Sequence, residues 1–355
     1  MSEKTSIPSK TFFQERWNTL SSVVNKTLKN RKKPRGGAKD VLIITHNNPD
    51  PDAIAAAWGL KWLLASIGVS SRASYSGIIS RPENRMMVQL LGIEMSKFPN
   101  LIIDAYPMIA LVDTQPCTGN NCLPDAKLPD VVIDHHNRRD CSNHVLYADV
   151  LMEVGSTSTV ITHFIMASGG KITKKLATAL YYGIKTDTQN LSRGNSEPDF
   201  AAAKFLFPMV LTKTLAKIEH PKISRPYIKE FINSLSNAVV CGDVAIVDAG
   251  KLTSPDILAQ IVDILISLEN VKWALAIGEL ESQFIFSIRT DYQGRNAGRV
   301  AQAIAKGIGT GGGHDMTAGG QIPLKDNVII LKENLVCRFI DKLNVDCTKV
   351  EGIFN

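Results

Sequence analysis

The chain has 355 residues, a formal net charge of +6, 44% hydrophobic residues and 21% charged residues. That length exceeds one ordinary hydrophobic core and points to two domains, and the composition is that of a soluble globular protein. No run approaches the roughly 20 apolar residues needed to cross a bilayer, which excludes a helical membrane span.

Charged and polar residues interrupt positions 1–20 throughout, so no signal-peptide segment is expected. Six cysteines, at 117, 122, 141, 241, 337 and 347, are dilute for this length, and Cys117 and Cys122 have no second pair to complete a zinc site. Free thiols and a cytoplasmic location are the expectation. Lys26, Lys29, Arg31, Lys32, Lys33 and Arg35 crowd residues 1–38. That segment reads as a basic extension, able to attract a polyanion but more simply a solvated, flexible stretch ending at Pro34 and Gly36-Gly37. No aromatic residues interleave with the basic run, so a base-stacking platform there is unsupported.

Residues 41–45 form the first expected strand, a short apolar run with β-branched members. A polar loop, 46–51, leads to a helix over 52–67 rich in Ala, Leu and Trp and ending near Gly68. Residues 69–75, 109–112 and 131–133 are further strand candidates, and 85–91, 156–167 and 174–182 read as helices. The alternation predicts an α/β domain with a mainly parallel sheet over 39–205. A largely helical connector, interrupted by prolines, follows over 206–240. A smaller mixed α/β domain is expected over 241–345, with strands at 244–247, 273–277 and 284–288 and helices at 255–266 and 297–306. A glycine cluster occupies 309–320. There is no internal repeat.

The polar residues gather where the predicted strands end, the rim at which open α/β sheets bind ligands. His46, Asp50 and Asp52 follow the first strand, and Asp113 follows residues 109–112. Asp134, His135 and His136 follow residues 131–133. Asp187 follows a helix. Nitrogen and oxygen donors without thiolate suit Mn²⁺ or Mg²⁺, with Zn²⁺ or Co²⁺ as alternatives. Gly155-Ser156-Thr157-Ser158 could offer an anion-binding helix start. Each stretch has an ordinary alternative: Asp52 as a helix cap, Asp113 as a turn residue, Ser156 as a cap of the helix at 156–167. Arg81 and Arg85 serve equally as phosphate contacts or as an exposed basic loop. Taken together, the donors suffice for two cations sharing a carboxylate, an arrangement suited to phosphoryl chemistry.

The motifs His46-x-x-Pro49-Asp50-x-Asp52-Ala53, Val112-Asp113-Thr114, Asp134-His135-His136 and Gly183-Ile184-x-Thr186-Asp187-Thr188 resemble, in order, those of the DHH phosphoesterase superfamily. Gly311-Gly312-Gly313-His314-x-x-x-Ala318-Gly319 resembles the signature of its associated C-terminal domain. The resemblance implies two divalent cations, manganese foremost, with Mg²⁺ or Co²⁺ as alternatives. One would be held by His46, Asp50 and Asp113, the other by Asp52, Asp113, His135 and Asp187. It implies that His136 contacts the scissile phosphate or protonates the leaving oxygen, with Asp134 as its support. It also implies that Arg289, Asn296, Gly311, Gly312, Gly313 and His314 bind substrate in a module closing over the metal domain. Thr310 and Asp315 depart from the usual pattern there, which bears on substrate preference. The implied activity is hydrolysis of short oligonucleotides or linear or cyclic dinucleotides to nucleoside monophosphates by metal-hydroxide attack. A 3′-phosphoadenosine 5′-phosphate phosphatase and a nucleotide-binding regulatory protein of the same fold are the alternatives. A homodimer is consistent with the family, although the sequence shows no interface signature.

Overall fold

The computed structural model describes residues 9–32, 38–98, 102–192, 196–292, 294–313, 316–324, 328–345, 347 and 349–353. The chain divides into two compact units, Met1–Pro221 and Lys222–Asn355.

The first unit holds a six-stranded, all-parallel sheet: β1 (Val41–Ile44), β2 (Ser71–Tyr75), β3 (Ser96–Lys97), β4 (Met108–Val112), β5 (Val131–Asp134) and β6 (Tyr147–Val150), in the order β3-β2-β1-β4-β5-β6. Every residue of β1, β4 and β5 is buried. Strands covered on both faces read as continuous apolar runs, which is why these three were legible. Helices α1 (Lys10–Asn30), α2 (Pro51–Ser66), α3 (Pro82–Leu91), α4 (Thr157–Ser168), α5 (Lys174–Asp187), α6 (Glu197–Leu206) and α7 (Thr212–Glu219) complete the unit. The strand order reverses between β1 and β4. The crevice beyond their carboxyl ends is the position where doubly wound sheets place ligands.

Residues expected as a flexible basic extension form α1 instead. Ser9 caps it by accepting from the Phe12 N–H, and Phe13, Trp17, Leu20 and Val24 are buried. Their 4-3-4 spacing is one helical face, hidden in the sequence by the basic residues that decorate the opposite face. Phe13 stacks on His163 of α4 with ring centroids 4.1 Å apart. Arg16 pairs with the buried Asp149 of β6 at 3.0 Å. At the other end of α1, Arg31 grips Asp130 with both nitrogens, at 2.6 and 2.9 Å, just before β5 begins. The basic end of α1 therefore lies at the opposite end of the strands from Asp113 and Asp134, about 17 Å away for a five-residue strand. Lys33, Pro34, Arg35, Gly36 and Gly37 lie outside the described residues.

The second unit has a mixed seven-stranded sheet. Its strands are β7 (Val239–Cys241), β8 (Val244–Lys251), β9 (Trp273–Leu280), β10 (Gln283–Thr290), β11 (Thr310–Gly313), β12 (Thr317–Pro323) and β13 (Glu351–Gly352). They lie in the order β11-β12-β10-β9-β8-β7-β13, and only the β8–β9 pair is parallel. Its helices are α8 (Arg225–Leu235), α9 (Asp256–Leu265), α10 (Ala297–Ala305) and α11 (Val328–Leu343). One core packs α10 and α11 on one sheet face, and another packs α8 and α9 on the other. The stretch expected as a connector is shared out: Leu215 and Ile218 of α7 are buried in the core of the first unit, and α8 packs in the second. The glycine cluster at 309–320 is mostly the paired strands β11 and β12.

The expectation of free thiols is overturned. Cys117 is bonded to Cys141 and Cys241 to Cys347, while Cys122 and Cys337 are free. Partners 24 and 106 positions apart carry no spacing signal; only the fold brings them together. Free thiols therefore no longer support a cytoplasmic location. Among the described residues, no helix is long and apolar enough to cross a membrane.

Candidate metal centre

The first group of side chains is delivered by the turn from β1 to α2. Asn48 takes a left-handed conformation (φ 55°), and its side-chain oxygen accepts from the Ile78 N–H at 2.8 Å. Gly77 must be glycine: a Cβ there would lie 2.2 Å from that oxygen. Asp50, not Asp52, is the N-cap of α2, accepting from the Ala53 N–H at 3.0 Å, with Pro51 at the first helical position. Asp52 is released from capping, is 1% exposed, and turns toward the start of α4.

There the α4 backbone grips it. The Thr157 and Ser158 N–H groups donate to the two Asp52 carboxylate oxygens, each at 2.7 Å. The Thr157 hydroxyl donates to Asp113 Oδ1 at 2.8 Å. Ser156 caps α4, as its sequence suggested. The helix start thus places its partial positive charge against two buried carboxylates. Asp199 of α6 holds this turn, accepting from the Gly155 N–H at 2.9 Å and from the Thr159 hydroxyl at 2.5 Å. Gly183 lets α5 approach: a Cβ there would meet Ser158 Oγ at 2.5 Å and the Asp52 Cα at 3.1 Å. That approach brings Asp187, the last residue of α5, to the cluster.

Asp113 sits at the centre, 2% exposed and left-handed (φ 59°), a conformation aspartate tolerates better than most residues. Its Oδ2 lies 3.5 Å from His46 Nε2 and its Oδ1 lies 3.7 Å from His135 Nε2. One carboxylate therefore faces His46 through one oxygen and His135 through the other, with His136 Nδ1 3.8 Å from Oδ1. His46 Nε2 is also 3.7 Å from Asp50, and His135 Nε2 is 3.0 Å from Asp187. Three overlapping groups have ligand atoms within 4.8 Å of one another: His46, Asp50 and Asp113; Asp52, His135 and Asp187; and Asp113, His135 and His136. All six residues expected as metal ligands are brought together.

Asp134 stands behind this cluster. It accepts from His136 Nδ1 at 2.6 Å, from the His135 N–H at 2.9 Å and from Gln115 Nε2 at 2.6 Å. Burial works against charge on every group here, and the balance is decided by neighbours. His46 is nonetheless raised well above its ordinary value by the neighbouring carboxylates of Asp113 and Asp50, His135 by Asp187, and His136 by Asp134. Asp50 and Asp134 are lowered against their burial by His46 and His136 respectively. Asp52 and Asp187 are raised, by burial first and then by repulsion from neighbouring carboxylates, Asp113 among them. Asp52, Asp187 and the three imidazoles are all shifted toward their protonated forms because the pocket is short of positive charge. A cluster of carboxylates and imidazoles with that deficit fits divalent cations.

The residues expected to bind substrate belong to the second unit. Arg289, at the end of β10, donates from Nε to Asp263 of α9 at 2.7 Å and from a terminal nitrogen to the Ile288 carbonyl at 3.0 Å. Asn296 caps α10, accepting from the Arg299 N–H at 2.8 Å. Gly311 and Gly313 permit close packing: a Cβ on Gly311 would meet the Ala301 carbonyl at 2.4 Å, and one on Gly313 would meet the Thr317 carbonyl at 2.3 Å. Gly312 faces open space. His314 and Asp315 lie outside the described residues. In the first unit, Arg81 is the N-cap residue of α3, and buried Asn84 donates to the Pro49 carbonyl at 3.3 Å. Sequence reasoning weighed Thr157 and Ser158 only as part of an anion-binding helix start over residues 155–158, and did not select Asp199 or Gln115 for the site. The Ser-Thr-Ser run at a helix start was a usable signal for the first two; Asp199 and Gln115 had none.

Comparison with known proteins agrees with this architecture. Residues 40–184 match the DHH family N-terminal domain and residues 237–341 match the DHHA1 domain. The uncharacterized protein MJ1633 of Methanocaldococcus jannaschii is 36% identical over 304 residues, 85% of this chain and 60% of that protein. The cyclic-di-AMP phosphodiesterase PdeA of Listeria monocytogenes is 25% identical over 339 residues, 85% of this chain and 47% of the relative. The chain thus spans about half to three-fifths of the length of these two relatives. Among solved structures, an exopolyphosphatase-related protein from Bacteroides fragilis has a TM-score of 0.69 at 18% identity, covering 90% of this chain and 96% of that one. RecJ from Thermus thermophilus in complex with Mn²⁺ has a TM-score of 0.54 at 10% identity, covering 94% and 55%. With the two family domains matched in order and the histidine–aspartate cluster assembled at the sheet's switch point, the chain is a member of the DHH family that carries a DHHA1 domain.

Proposed function

We propose that this protein is a manganese-dependent phosphoesterase that hydrolyses short oligonucleotides or linear or cyclic dinucleotides to nucleoside monophosphates. The observation that carries the reading is Asp113, whose two oxygens face His46 and His135 and which belongs to two of the three ligand groups. In this reading His46, Asp50 and Asp113 hold one cation, and Asp52, Asp113, His135 and Asp187 hold the second. When bound, two such cations supply a nucleophile at neutral pH and neutralise charge on the phosphate oxygens. Manganese is favoured by the oxygen and imidazole donors and by the Mn²⁺ complex of the structurally similar RecJ.

The protein's own groups divide the remaining work. The N–H groups of Thr157 and Ser158 hold Asp52 in place, and the Thr157 hydroxyl holds Asp113. His136 is held through Nδ1 by Asp134, and in this reading the ring meets a phosphate oxygen or the departing oxygen. Its raised affinity for a proton suits it to donate one. Arg289, Asn296 and Gly312 are proposed as substrate contacts of the DHHA1 domain, with Gly311 and Gly313 shaping the strand that presents Gly312. The relative PdeA, a cyclic-di-AMP phosphodiesterase by name, favours dinucleotides.

The test is a substrate panel with Mn²⁺: linear dinucleotides, cyclic di-AMP, cyclic di-GMP, 3′-phosphoadenosine 5′-phosphate and pyrophosphate. Cleavage of at least one phosphodiester is expected, with activity lost on chelation and in Asp113→Ala. Full activity of Asp113→Ala, or cleavage of pyrophosphate alone, refutes the proposal.

A further inference from the structure

Gln115 is 1% exposed and lies two residues beyond Asp113 in the loop that leaves β4. Its amide is fully used. Nε2 donates to Asp134 Oδ2 at 2.6 Å and to the Asn137 carbonyl at 3.2 Å, while Oε1 accepts from the Arg139 N–H at 2.8 Å and the Ser142 hydroxyl at 2.9 Å. Two donors and two acceptors are the whole capacity of a glutamine amide. The reversed amide would set Oε1 against a carboxylate and Nε2 against an N–H, so one orientation is enforced. The same loop is tied elsewhere as well: Asn120 accepts the Asn47 N–H, Asn121 bridges to His46, and Cys117 is bonded to Cys141.

Asp134 is consequently held at both oxygens. Oδ2 takes the Gln115 donor, and Oδ1 takes His136 Nδ1 and the His135 N–H. A carboxylate with only Oδ1 engaged is free to turn about its Cβ–Cγ bond and carry the His136 ring with it. One engaged at both oxygens is not. We infer that Gln115 is a positioning residue that fixes the ring plane of His136 through Asp134. This inference rests on the hydrolytic reading above, in which His136 meets the reacting phosphate. Outer partners that orient a working histidine through a carboxylate are worth about 10- to 100-fold.

The competing role is structural. Gln115 also fastens residues 137–142 through Arg139 and Ser142, and losing it would then act only through loop disorder. Two variants separate the roles. Gln115→Glu keeps both acceptor bonds to Arg139 and Ser142 but replaces the donor facing Asp134 with an oxygen. Ser142→Ala removes one loop bond and leaves the donor to Asp134 intact.

The experiment compares wild type, Gln115→Glu and Ser142→Ala by three measurements. These are kcat and KM on the best dinucleotide with Mn²⁺, the calorimetric stoichiometry of Mn²⁺ binding, and the hydrogen-bonded imidazole Nδ1 proton of His136 by NMR without manganese. Gln115→Glu is expected to lose about 10- to 100-fold in kcat with KM and Mn²⁺ stoichiometry little changed, and to shift or lose the His136 proton signal. Ser142→Ala is expected to retain both. Wild-type kcat and an unmoved proton signal in Gln115→Glu overturn the inference, as does an equal loss in Ser142→Ala. If the wild-type protein cleaves nothing on the panel, the hydrolytic reading fails. The His136 signal then still decides whether Gln115 sets the ring.

Discussion

The Cys117–Cys141 bridge closes a loop of 24 positions with the two Cα atoms 6.4 Å apart, joining the segment after Asp113 to the segment after His136. Replacing both cysteines with serine is the perturbation. A cross-link of this span removes chain entropy from the unfolded state worth about 3 kcal/mol. Cys117 is exposed and Cys141 half-buried, so serine leaves no large cavity and the loss should come mainly from that entropy. With a urea m-value of about 2 kcal/mol/M, the unfolding midpoint should drop by about 1.5 M. Tryptophan fluorescence reports on the transition, since Trp17, Trp58 and Trp62 all lie in the first unit. Thiol titration of the denatured, unreduced wild type is the companion assay and should find two thiols, Cys122 and Cys337. An unchanged midpoint in the double variant, or six reactive thiols in the wild type, would refute the reasoning.

Trp17→Ala, at a site 6% exposed against Phe164, should destabilise the first unit by about 3–5 kcal/mol; no shift in the denaturation midpoint would mean that α1 is not part of the core. His163 is held below the ordinary histidine range by burial. Below about pH 6.5 the unfolded chain therefore binds more protons than the native one. Stability from this residue is complete above that pH and is lost as pH falls. The pH dependence of the unfolding midpoint should accordingly be shallower in His163→Gln, and identical slopes would exclude the assignment. Gly311→Ala should lower the thermal midpoint of the second unit, because its Cβ meets the Ala301 carbonyl at 2.4 Å, whereas Gly312→Ala should not. If Gly312→Ala raises KM on a dinucleotide at unchanged stability, the open glycine serves ligand approach; an unchanged KM removes it from the substrate contacts.

Among the expected ligand residues, His46, Asp113 and His135 were legible because each follows a run whose burial both sides of the sheet demand, whereas Asp187 ends a helix and was legible only through its motif. Val41–Ile44, Met108–Val112 and Val131–Asp134 are buried at every position. A polar residue after such a run stands out even in one sequence. The weaker elements were not legible. The edge strand β6 and the two-residue β3 have little apolar signal, α1 was read by its charge rather than its 4-3-4 apolar face, and the glycine-rich β11 and β12 lack the side chains by which strands are recognised.

The sequence by itself determined the donor set, the strand ends that carry it and the family to which it belongs, because these depend on residue type and short spacing. Tertiary structure alone decided that Asp50 caps α2 while Asp52 is gripped by α4, and that Asp113 presents one oxygen to each of two histidines. It alone paired the cysteines and set Gln115 against Asp134. Apart from the local Asp50 cap, each of those facts joins residues well separated in the chain. Their distance in the chain says nothing about their distance in space until the order of strands is fixed.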